Sequence, residues 1–140
     1  MSRFSEATRE ALRTQGWRLA DVPSSAGLDA GEVAYRPGLM PGSPGATRDA
    51  CHALLTRLDD MLPSGSRSAI AGAALYEWLV SDHSARTGEW LLRQTFTWTA
   101  DSDSRGYPVA TGVVGGRILS RPLPEGRGRG VGVLPLVVPV

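Results

Sequence analysis

VGVLPLVVPV, residues 131–140, carries no polar side chain and is interrupted twice by proline. Pro135 and Pro139 lack amide hydrogens, which argues against a central strand and leaves an extended segment along a sheet edge or groove. Burying five of its Val and Leu side chains contributes roughly 1.5–3 kcal/mol each. Ordering the backbone costs about 1–2 kcal/mol per residue, so the segment is stable only if most of those side chains find a surface. That surface is either an edge of the chain's own domain or a neighbouring subunit. The upstream residues close a core without the tail, which favours the neighbour and makes residues 131–140 a docking arm.

Working outward, the 140 residues suffice for one hydrophobic core. Hydrophobic content of 41% and charged content of 21% are ordinary, whereas 17 Gly and 10 Pro call for many turns. Every basic residue is Arg, and Lys and Asn are absent, as a GC-rich coding bias would produce. A net charge of +1 and the lack of a basic run on any one helix disfavour nucleic acid as a specific partner. The single Cys51 excludes an internal disulfide and a multi-cysteine zinc site. No apolar stretch resembles a signal peptide or a bilayer span, so a soluble protein without a membrane partner is expected.

Ser5 as a cap, with Phe4, Ala7, Ala11 and Leu12 at helical spacing, predicts a helix over 5–15, stopped by Gly16. Short strands are expected in GWRLADVP and EVAYR, separated by a loop over 23–31. PGLMPGSPG, residues 37–45, is too rich in Pro and Gly for any regular element. The clearest helix spans 47–62, capped by Thr47, with Ala50, Cys51, Leu54, Leu55, Leu58, Met61 and Leu62 on one face. Alternation of Tyr76, Trp78 and Val80, and of Trp90, Leu92, Phe96 and Trp98, predicts strands over 75–80 and 89–99 joined by a polar hairpin loop. Their aromatic face is expected on the 47–62 helix. Gly115–Gly116 reads as a bulge or bend inside a later strand. The fold class is α+β: a small, mostly antiparallel sheet packed on two helices. Residues 1–100 form the compact domain and 101–140 an extension of hairpin and arm.

The catalytic inventory is thin. Cys51 falls on an apolar helix face, where it packs as a small hydrophobe. His52 points about 100° away from it and cannot share a site. Ser81, Asp82, His83 and Ser84 are consecutive, whereas triad members meet through tertiary folding. GVVGGR and EGRGRG lack the strand-turn-helix context of a phosphate loop, and one GRGRG copy is a weak RNA-binding signal. The expectation is no catalytic residue, no cofactor and no metal. Two alternatives stay open: a small-ligand-binding or enzymatic domain with Tyr76, Trp78, Trp90 and Trp98 lining a pocket, and a monomeric immunity or antitoxin-type protein with one partner.

The order of helix, strands, proline-rich loop, long helix and charged hairpin ending in an aromatic strand is carried by GATRDACHALLTRLDDML (45–62) and ALYEWLVSDHSARTGEWLLRQTFTWTA (74–100). It resembles the tail terminator proteins of long-tailed bacteriophages and related tail-like particles over about the first hundred residues. That resemblance implies a small α+β subunit closing as a hexameric ring at the head-proximal end of the tail tube. Its partners would be its own copies, the tail tube protein and the head-side connector protein. The location implied is the virion tail or neck, after assembly in the bacterial host cytoplasm. Candidate contact residues are Leu39 and Met40 in the proline-rich loop and Asp82, His83 and Arg86 in the charged segment. In the tail they are Val133, Leu134, Leu136, Val137, Val138 and Val140. Residues 101–140 depart from the smaller members of that family, so the tail's docking role is an inference from its chemistry alone.

Overall fold

The computed structural model describes residues 2–26 and 31–140. Helix α1 (Glu6–Thr14) starts on Ser5, whose Oγ accepts the Thr8 amide at 3.1 Å. Strands β1 (Arg18–Asp21) and β2 (Glu32–Tyr35) follow as an antiparallel pair. Of the loop expected over 23–31, Ser24–Ala26 forms a 3-10 turn, and positions 27–30 lie outside the described residues. Helix α2 (Arg48–Asp59) is capped by Thr47, as its sequence requires, and buries Cys51, Leu55 and Leu58 on one face. The buried Glu32 carboxylate ties α1 to β2: it accepts the Arg9 Nε and Nη2 protons at 3.1 Å each and the Phe4 amide at 3.1 Å.

After α2 the chain departs from its alternation. A short strand β3 (Ser66–Ala69) leads into helix α3 (Ala73–Thr87), which replaces both the strand expected at 75–80 and the loop after it. The correction has a physical cause. Tyr76, Leu79, Val80 and His83 are all buried at spacings of three and four, while Trp78, which completed the apparent alternation, is only partly buried. Six residues cannot separate the two periods by themselves. Strand β4 (Phe96–Ser102) begins seven residues later than expected, because Leu92 and Gln94 adopt left-handed backbone, each at φ +57°, in a turn that bonds to Val113. Strands β5 (Pro108–Val114) and β6 (Arg117–Pro122) then form a hairpin, followed by β7 (Val131–Gly132) and β8 (Leu136–Pro139).

Two four-stranded sheets result, ordered β1-β2-β8-β3 and β6-β5-β4-β7, so the fold class is α+β. Between these strands all pairings are antiparallel except β4 with β7, and an isolated parallel bridge joins Arg93 to Val113. The apolar tail is an inner strand of its own chain, correcting the reading that its prolines forbid this. Val140 donates to the Gly65 carbonyl at 3.1 Å on the β3 side. Successive strand amides point to alternate sides, so the missing Pro139 donor faces the β2 side, beyond the last β2 pair at Val137. Pro135 precedes the strand.

Both faces of the first sheet are covered, which explains why β2 and β8 are buried at every position and apolar almost throughout. Val33, Tyr35, Leu136 and Val138 face the cluster built on α3, whereas Ala34 and Val137 face the one built on α1 and α2. The second sheet is divided the same way. Phe96, Trp98 and Ala110 join the α2 cluster, and Val113 and Ile118 join that of α3. Residues 131–138 therefore link the two sheets: Val133 enters one cluster and Leu134 the other.

Candidate functional site

Asp82, His83 and Arg86, contact candidates from a supposed loop, sit instead on α3, where they meet Tyr35 of β2. The spacing of four places Arg86 Nε 2.8 Å from the Asp82 carboxylate. Arg86 Nη2 donates to the Tyr35 hydroxyl at 3.2 Å, and that hydroxyl lies 2.8 Å from His83 Nδ1. Because arginine only donates, the hydroxyl proton is free to point at His83; we assign Nδ1 as its acceptor and the ring proton to Nε2, the tautomer that uses that proton. Burial, then the charges of Arg18 and Arg86, hold the His83 pKa below its ordinary value. The network is closed, with each member bonded to another, and it braces α3 against the first sheet.

The remaining contact candidates scatter. Val133, Leu134, Leu136, Val137 and Val138 are buried in the chain's own core, correcting the expectation that they reach a neighbour. Val140 is 81% exposed, and only its amide is engaged. Leu39 and Met40 are partly buried against the two clusters. The four aromatic residues considered as a pocket lining do not share a surface. Tyr76 and Trp98 are fully buried in different clusters, Trp78 packs on the α3 cluster, and Trp90 is exposed. Burial also raises the pKa of the Cys51 thiol, so the thiolate that would attack or bind metal is disfavoured.

A surface that the alternation does not reveal lies at the β5–β6 hairpin. Gly115 and Gly116 are both at positive φ, 59° and 74°, and form its two-residue turn, not a bulge. Gly112 of β5 is equally required: a Cβ there would overlap the Thr95 carbonyl and come within 2.8 Å of the Phe96 ring. Ladder geometry then decides which groups are free. The residues closing a two-residue turn exchange both hydrogen bonds, and the pattern repeats every second residue, as the Leu123 amide on the Pro108 carbonyl at 2.9 Å confirms. Arg117, Leu119 and Arg121 therefore bond inward to β5, whereas Ile118 and Ser120 point their amides and carbonyls away from the sheet.

Two other edges are closed within the chain. The outward amide of Ser68 in β3 donates to Asp59 of α2 at 2.7 Å. Beside β7 the proline-rich loop takes over: the Gly45 and Met40 amides donate to the Val131 and Val133 carbonyls at 2.8 and 2.7 Å, and the Val133 amide donates to Ser43 Oγ at 3.1 Å. The β6 edge has no such cap among the described residues. Val114 and Leu119 on this hairpin and Trp90 beside its turn, exposed by 45%, 40% and 38%, account for three of the five exposed large apolar side chains described. Trp90 also borders a cleft of about 280 Å³ with Arg93, Gln94, Val113 and the turn glycines. The double glycine was the available sequence signal for this hairpin.

No family model, curated protein or solved structure matches the chain.

Proposed function

We propose that the chain is a structural subunit that holds other protein chains, and that its specific role is the ring-forming tail terminator implied by its sequence resemblance. In that role its copies close into a ring, and the β5–β6 hairpins engage the adjoining tail or connector chains. The observation that carries this reading is the coincidence, on one hairpin, of an uncapped six-residue strand edge with the exposed side chains of Val114 and Leu119, with exposed Trp90 beside its turn glycines. An open edge invites pairing with another chain and is normally covered or blunted.

The internal networks support the same reading. The Tyr35–His83–Arg86–Asp82 cluster and the Arg9–Glu32 pair bind elements to one another, each through a buried polar group, the Tyr35 hydroxyl and the Glu32 carboxylate. Sedimentation velocity over a wide concentration range tests the proposal. One closed multi-copy species is expected, whereas a single-copy species that forms a one-to-one complex with one co-purifying protein would favour the immunity or antitoxin reading.

A further inference from the structure

We infer that β6 receives an extended acidic segment of a different protein chain, which adds to the second sheet as a fifth strand. This rests on reading the hairpin as a contact surface for other chains, but it does not depend on the ring. Backbone supplies the first part of the argument. Ile118 and Ser120 present paired amide donors and carbonyl acceptors outward, enough to register a short strand. Pro122 ends the run, since it has no amide to offer.

Side chains supply the second part. Arg117, Leu119 and Arg121 share one face of the strand, opposite the face on which Ile118 packs toward α3. Among the described residues, neither Arg117 nor Arg121 forms an ion pair. Arg121 lies over the Phe96 ring at 4.8 Å, which holds its guanidinium beside the edge. On the other face Ser120 donates to the Glu77 carboxylate of α3. A strand laid along β6 thus meets positive, apolar and positive positions on one side and a carboxylate on the other. The complementary sequence alternates, with carboxylates at the first and fifth positions, an apolar residue at the third, and uncharged residues between them.

That pattern argues against a second β6 as the occupant. Antiparallel self-pairing through Ile118 and Ser120 would place Arg117 opposite Arg121 twice, and like charges directly opposite are unfavourable. The chain's other edge strands do not fit either. β1 offers a single carboxylate, Asp21, already bound by Arg3 at 2.6 Å, and β3 offers none.

The test uses ¹⁵N-labelled full-length protein titrated with the peptide acetyl-Glu-Thr-Val-Thr-Glu-amide and with its Lys-for-Glu counterpart. The acidic peptide should shift the Ile118 and Ser120 amide resonances, slow their hydrogen exchange, and bind at least tenfold more tightly than the basic one. Reversing the charges with R117E and R121E should invert that preference while the remaining spectrum stays in place, a result that misfolding cannot produce. Equal binding of the two peptides, no response at Ile118 and Ser120, or an unchanged preference in the reversed variant would overturn the proposal. Binding by a protein that sediments as a single copy would sink the ring and leave this inference standing; a ring whose β6 amides ignore the peptide would do the opposite.

Discussion

Tyr35 is fully buried, and its hydroxyl stands between Arg86 and His83. Tyr35→Phe keeps the ring but leaves His83 Nδ1 without its donor, so stability should fall by about 1–3 kcal/mol, read from urea midpoints. The imidazole also predicts a pH dependence with a definite sign. Its pKa is lowered in the folded protein, so the unfolded chain binds that proton more readily. The stability that this site contributes is complete above about pH 6.5, the ordinary histidine value, and is lost as pH falls through the lowered one. The difference in unfolding free energy between wild type and His83→Gln should therefore shrink on acidification from neutral pH; a difference independent of pH would contradict the assignment. At this scale the sequence was informative about caps and cores. Ser5 and Thr47 cap the helices as their side chains dictate, and Cys51 is buried as its helical position requires. The meeting of Tyr35 with His83, 48 positions apart, has no local signal.

The elements that resisted reading are those whose environment is set from both sides. Residues 136–139 were legible as apolar and extended, but their place between β2 and β3 depends on which amides are missing, and both prolines fall where no donor is needed. Deleting residues 136–140 should accordingly abolish cooperative thermal unfolding and the dispersion of the amide spectrum. A truncated chain that melts like the full one would show that the tail is dispensable. Helix α3 was hidden by an accidental alternation over six residues, although Tyr76, Leu79, Val80 and His83 carry the helical period. The hairpin depended on reading Gly115–Gly116 as a turn. Its close packing makes Gly112→Ala a sharp test: the added methyl must displace the Thr95 carbonyl or the Phe96 ring. Destabilisation of about 1–3 kcal/mol or more is expected, measured by chemical denaturation.

At the scale of the whole molecule, the last ten residues bind two sheets into one body, so the grease that invited a docking role is consumed internally. On the proposed reading, contact with other chains passes to the hairpin instead, where Val114 and Leu119 are exposed and the β6 edge is covered by no segment among the described residues. No described helix is long and apolar enough to cross a membrane. Replacing Val114 and Leu119 with Ser should leave the thermal midpoint close to wild type, since both side chains are exposed, while weakening capture of partner chains; a collapse of the midpoint would place them in the core instead. The central claim, that this protein works as an assembling subunit, is tested most directly by sedimentation velocity on the full-length chain from low to high concentration. The account predicts a single closed species of several copies, a hexamer if the sequence resemblance extends to stoichiometry. A species of one copy at every concentration would contradict it.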